Sequence, residues 1–197
     1  MALLSAVVAR VDRGARGVSR FAFIAAVLLL VGRPAAAQAV RAAASQVEAV
    51  FLFNFAQFAD WPPESFPDSQ APLIIGILGD DPFGPFLEET VRGETVRGRP
   101  VEIRRYRGIE EIKTCHILFV SRVEMDRLAD MLAALKDRPV LAVSDGDDFA
   151  QRGGMIQFVI ERSRIRLRIN LEAAQAAKLT ISSKLLRSAE LVPLPRH

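Results

Sequence analysis

The spacing of apolar positions changes several times along the chain, and each change marks a predicted element. Val47 to Ala59 (VEAVFLFNFAQFA) reads as a helix in which Val47, Val50, Phe51, Phe55 and Phe58 form one stripe at 3.6-residue spacing. Leu52, Phe53 and Ala56 fall on other sides of that wheel, and Glu48, Asn54, Gln57 and Asp60 interrupt it singly. Pro62 and Pro63 end the helix. Leu73 to Leu78 (LIIGIL) is an almost unbroken apolar run, suited to a parallel strand buried on both faces. A Gly79-Asp80-Asp81-Pro82 turn leads into a short helix, Phe83 to Val91. Pro100 to Tyr106 alternates as a strand, Gly108 to Lys113 is a short helical connection, and Cys115 to Val120 is again a strand. Glu124 to Lys136 is amphipathic, with Met125, Leu128, Ala129, Leu132 and Leu135 on one side, and Pro139 to Val143 is the next buried strand.

After Val143 the rhythm shifts. Met155 to Glu161 and Ile165 to Ile169 read as two strands around a short turn, an antiparallel hairpin. Asn170 caps a helix over 171–178, and Thr180 or Ser182 caps a last helix running to Glu190. Strand–helix alternation followed by a hairpin predicts a single α/β domain. Its sheet is mainly parallel and flanked by helices, with the antiparallel hairpin near the C-terminus.

Half of the 197 residues are hydrophobic, which excludes a disordered or fibrous chain. Arg10, Arg13, Arg16 and Arg20 precede an uncharged run, Phe21 to Val31, and then Gly32-Arg33-Pro34-Ala35-Ala36-Ala37. That is the layout of a secretory signal peptide over residues 1–37, cleaved before Gln38 or Val40. The run falls short of the roughly 20 apolar residues a span requires, so no stable membrane insertion is expected after cleavage. The leader also changes the charge. The full chain has 26 basic and 23 acidic residues, and residues 38–197 keep 21 and 22, a net charge of −1. A basic pI near 9.5 therefore describes the precursor and does not support nucleic-acid binding.

A helix apolar on nearly every side must be covered on more than one side. Phe51, Phe55 and Phe58 are expected to face the sheet. Leu52, Phe53 and Trp61 are left for a second surface, which is either another part of the domain or a partner or dimer contact. The strand ends carry Asp80 and Asp81, Ser121, and Asp145, a candidate ligand site at the carboxyl edge of the sheet, although Asp and Gly are also ordinary turn residues. No catalytic set, metal site, cofactor motif or disulfide is expected. The sequence has no P-loop, no G-x-G-x-x-G and no G-x-S-x-G. Asp145-Gly146-Asp147-Asp148 lacks the later glutamate of a calcium loop, and His116 and His197 form no ligand-spaced pair. The single cysteine, Cys115, cannot close an internal bridge and reads as a small buried strand residue.

Several stretches together resemble the YfiR/HmsC-like family of exported regulators. They are Val50-Phe-Leu-Phe-Asn-Phe-Ala-Gln-Phe-Ala-Asp-Trp-Pro62, Cys115-His-Ile-Leu-Phe-Val120, Asp148-Phe-Ala-Gln-Arg-Gly-Gly-Met-Ile-Gln-Phe158, Ile169-Asn-Leu-Glu-Ala-Ala174 and Leu179-Thr-Ile-Ser-Ser-Lys-Leu-Leu186. They delimit a domain over residues 45–191. The resemblance implies a periplasmic, often dimeric α/β protein that is not an enzyme. Such a protein binds the periplasmic part of an inner-membrane diguanylate cyclase and holds it inactive, which restrains cyclic di-GMP signalling and biofilm formation. Members under disulfide control carry paired cysteines; here Cys115 stands alone. The alternative class is a periplasmic small-ligand sensor, using the acidic strand ends, in another signalling or transport system.

Overall fold

The computed structural model describes residues 41–162 and 164–193, so the expected leader and its cleavage positions lie outside the described residues. Residues 41–58 form helix α1. It is followed by β1 (Ala59–Asp60), β2 (Leu73–Leu78), α2 (Pro85–Val91), β3 (Thr95–Val96), β4 (Arg99–Tyr106), β5 (Ile117–Val120), α3 (Leu128–Ala134) and β6 (Leu141–Ser144). The chain continues through β7 (Ile156–Glu161), β8 (Arg164–Ile169), α4 (Leu171–Ala176), β9 (Thr180–Ile181), α5 (Ser183–Leu186) and β10 (Ala189–Leu191).

Eight strands make one sheet in the order β10-β8-β7-β6-β5-β2-β4-β3. β4, β2, β5, β6 and β7 run parallel, and β7–β8 is the antiparallel hairpin, so the predicted α/β architecture is the observed one. Every residue of β2, β5 and β6 is buried, which explains why those segments read as continuous apolar runs. Register puts Ile77, Phe119 and Val143 on one face, where Phe83 meets Phe119 edge-on at 4.7 Å. Ala142 points to the other face, where it shares a cleft with Leu132 of α3 and Ala173 of α4. No helix among the described residues is long and apolar enough to cross a membrane.

Helix α1 is rotated from the predicted stripe. Its buried face is Ser45, Glu48, Ala49, Leu52, Phe55 and Ala56, leading to Ala59 in β1, whereas Val47 and Val50 are each 46% exposed. Phe55 stacks on Phe158 of β7 at 5.7 Å, with Phe51 against both rings at 6.0 Å. Leu52, expected on the second surface, is fully buried in the core instead. Small residues let the helix backbone approach the sheet, so the row containing Ala49, Ala56 and Ala59 faces inward although the Phe and Val row is more hydrophobic. Burial of Leu52 and Phe55 contributes roughly 1.5–3 kcal/mol each.

The C-terminus also departs from expectation. The last helix stops after Leu186, where Ser188 donates its hydroxyl to the Leu185 carbonyl at 2.8 Å. Ala189–Leu191 then pairs in parallel with β8, satisfying backbone groups that an edge strand would leave open. The Glu124–Lys136 segment is α-helical only over Leu128–Ala134, after a 3-10 turn at Arg122–Arg127. β1 and β9 pair as a separate two-stranded ribbon that joins the end of α1 to the C-terminal segment.

Gly76 interrupts β2 for a steric reason: a Cβ there would lie 2.8 Å from both Cys115 Sγ and Tyr106 Cε2. Gly76→Ala is expected to cost about 1–3 kcal/mol in urea unfolding, as overpacking does in a filled core. Combining it with Cys115→Ala should cost less than the two single changes added together. Strict additivity would show that the sulfur is not the obstacle.

Candidate functional site

Strand order reverses at β2, which has β4 on one side and β5 on the other, so the carboxyl ends of β2 and β5 flank the crevice where ligands of open α/β sheets bind. Leu78, Val120 and Ser144 are in register across β2, β5 and β6. One residue further on stand Gly79, Ser121 and Asp145. A Cβ on Gly79, whose φ is +84°, would meet the side chains of Glu124 and Ser121 at 3.0–3.1 Å, so Glu124 closes over that corner. Arg122 donates to the Asp145 carbonyl at 2.8 Å, and its Nε lies 3.7 Å from the Asp145 carboxylate.

Glu48 of α1 completes this cluster. It is buried at 4% exposure. Burial first, and the charge of Asp145 second, push its carboxyl up to about 7, while Arg122 draws it back down. Sequence reading treated Glu48 as an interruption of an apolar stripe. The signal that places it is the row Ser45, Glu48, Ala49, Leu52, Phe55, Ala56, whose small members mark a close approach.

The expected ligand residues are brought to one edge of the sheet but do different work. Asp81 is engaged in the turn: its Oδ1 accepts from the Phe83 and Gly84 amides at 2.8 and 3.2 Å, and its Oδ2 accepts from Arg105 Nε at 2.8 Å. Arg105 also reaches Glu88 at 2.5 Å. Asp80 is exposed, Ser121 is buried and Asp145 is half-buried. Among the described residues, no three His, Cys, Asp or Glu side chains cluster to hold a metal ion.

Two polar clamps were not read from the sequence. At the carboxyl edge, Ser144 Oγ donates to the Val120 carbonyl at 2.7 Å and accepts from the Gly146 amide at 2.9 Å. Gln157 Nε2 donates to the Gly146 carbonyl at 3.0 Å, and Asn170 Nδ2 to the Ala150 carbonyl at 3.1 Å. These three buried side chains fix the loop between β6 and β7, and Asn170 also caps α4 through the Ala173 amide at 3.0 Å, as its position predicted.

At the opposite edge His116 Nδ1 accepts from the Ile74 amide at 2.9 Å. Nε2 therefore carries the proton and donates to the Ser65 carbonyl at 3.2 Å. Burial lowers this imidazole to about 4, so it is held neutral. Its ring stacks on Phe66 at 4.3 Å, Arg99 lies 4.0 Å from the Phe66 ring centroid, and the indole of Trp61 donates to the His116 carbonyl at 3.1 Å. Cys115 is buried and its thiol is pushed up to about 12 by burial, which leaves no thiolate for nucleophilic work. Phe53 and Trp61 are both partly buried against the core, and Trp61 lines a cleft of about 330 Å³ with Phe66, Arg97 and Arg99.

A family model described as YfiR/HmsC-like matches residues 45–190, most of the chain. Comparison with curated proteins returns no match.

Glu48 and His116 give opposite pH slopes. Glu48 has a folded value near 7 against 4.5 when unperturbed, so the stability it contributes is complete below 4.5 and disappears as pH rises through about 7. Its replacement by Gln, which stays neutral, should raise the urea midpoint relative to wild type progressively across that window. A midpoint difference that does not change with pH would contradict this. For His116, lowered from 6.5 to about 4, stability is complete above 6.5 and is lost as pH falls through 4. A His116→Gln variant should lack that acid-side loss.

Proposed function

The chain belongs to the YfiR/HmsC-like family, and on that premise we propose that it is a noncatalytic periplasmic regulator that binds the periplasmic part of an inner-membrane diguanylate cyclase and represses it. The match across residues 45–190 carries this reading. The roles of the reactive side chains support it. His116 holds a loop to the sheet, Cys115 is a buried thiol, and Asp81 is bound into a turn and an ion pair.

The proposed contact residues are Phe53 and Trp61, each leaving part of an aromatic ring in solvent, as the anchors of interfaces do before their partner arrives. Leu52 is not among them, because the core already encloses it. A second copy of the chain is the competing occupant of the same aromatic surface. The other functional reading, a small-ligand sensor, draws on Asp80, Ser121 and Asp145 at the strand-order reversal, beside Glu48 and Arg122. A ligand-induced rise in thermal midpoint that Asp145→Asn abolishes would favour that second reading.

Deleting the gene should raise cyclic di-GMP and biofilm mass, and restoring the wild-type chain should reverse both. A Phe53→Asp chain that is folded and exported should fail to restore repression. Cyclic di-GMP unchanged by the deletion would overturn the reading. Loss of cooperative unfolding in Phe53→Asp would instead return that residue to the core.

A further inference from the structure

One face of β8 carries a row of arginines. Arg164, Arg166 and Arg168 alternate with Ile165, Leu167 and Ile169, so the three leave the sheet on one face about 6.5–7 Å apart. Arg162 precedes them in the hairpin turn. The reverse face of the strand belongs to the core, where Leu167 and Ile169 are buried.

The four cations differ in their partners. Arg168 is satisfied, with Nε 2.9 Å from Glu190 and Nη2 3.5 Å from Glu161. Among the described residues no carboxylate pairs with Arg162, Arg164 or Arg166; Glu161 and Glu190 both close on Arg168. These three arginines and Glu161 line a groove of about 650 Å³. Residues 38–197 as a whole are almost balanced, with 21 basic and 22 acidic side chains, yet four of the basic ones fall within Arg162–Arg168. Like charges at alternate positions of one strand face repel each other, and a complementary anion relieves that repulsion.

The shape of the groove selects among anions. Guanidinium groups are planar forks that match carboxylates two hydrogen bonds at a time. A headgroup layer or a uniformly anionic polymer meets the like charge of Glu161, which stands opposite Arg164 in the row. An extended peptide with carboxylates at alternate positions repeats at the same 6.5–7 Å or so, and can offer a donor to Glu161. β7 pairs with the whole of β8, and β10 with Leu167–Ile169 only; the arginine side chains leave the sheet on its face, so the segment docks on them. We infer that the groove of the β7–β8 hairpin docks an acidic, extended segment of a protein partner through Arg162, Arg164 and Arg166. This deepens the proposed function and rests on it for the partner's identity; the charge and shape of the groove do not depend on it.

The test uses the purified protein and a fluorescent peptide of alternating Glu and Thr, read by anisotropy. Binding should weaken with added salt, and should weaken about tenfold or more in Arg164→Glu/Arg166→Glu. It should be unchanged in Arg92→Glu, an exposed control, and the Gln/Thr peptide should not bind. The milder Arg164→Gln/Arg166→Gln pair should lose less, and circular dichroism should match wild type in all variants. Equal binding by wild type and the double glutamate variant overturns the inference. So does tighter capture on phosphatidylglycerol vesicles than on the peptide, when that capture depends on Arg164 and Arg166. In cells, the double glutamate variant should accumulate yet fail to repress. If deletion raises cyclic di-GMP but the variant represses normally, the groove inference fails and the proposed function stands. If deletion changes nothing, the proposed function fails, and peptide binding alone decides the groove.

Discussion

Double-sided burial of three neighbouring strands is the constraint on which this structure depends. β2, β5 and β6 have every residue inside, so each face of the sheet needs its own layer and each backbone group needs a ladder partner. α1 and Phe83 cover one face, and α3 with α4 the other. The edges are then closed by short or polar elements: two-residue β3 beyond β4, and β10 beyond β8. Gly76 belongs to the same constraint, because only a residue without Cβ lets Cys115 and Tyr106 pack against the middle of β2.

Polar side chains that reach the interior answer the demand that buried hydrogen-bonding groups be paired. Ser144 ties the Val120 carbonyl of β5 to the Gly146 amide, and Gln157 and Asn170 satisfy the Gly146 and Ala150 carbonyls of the loop between β6 and β7, at one edge of the sheet. His116 does the equivalent at the other edge, joining the Ser65 carbonyl to the Ile74 amide. His116 and Cys115, of the residue types most often used for nucleophilic or metal chemistry, are thus parts of the scaffold. Glu48 is different. It places a carboxyl beside Asp145 in a buried position, an arrangement tolerated because the group gives up its charge near neutral pH.

Two surface features carry the proposed contacts. Phe53 in α1 and Trp61 after β1 are each partly exposed. The β7–β8 hairpin presents arginines on one face while its other face anchors in the core. Both features are held by rigid elements, so a partner meeting them loses little freedom of the protein in binding. The proposed regulation by contact draws on these two surfaces.

The sequence by itself determined the layers. Continuous apolar runs such as LIIGIL announced buried parallel strands, alternation from Met155 to Ile169 announced the hairpin, and Asn170 announced the cap of α4. The motif order likewise led to the family that the match over residues 45–190 bears out. Only the tertiary structure decided the rotation of α1, the enclosure of Leu52, the pairing of β10 with β8, and the meeting of Glu48 with Asp145 and Arg122. The physical reason is that a linear pattern carries the period of an element but not its phase against a neighbour. Phase is set where two surfaces meet: small residues gain by close approach, and a carboxyl can be buried once its environment lets it keep a proton.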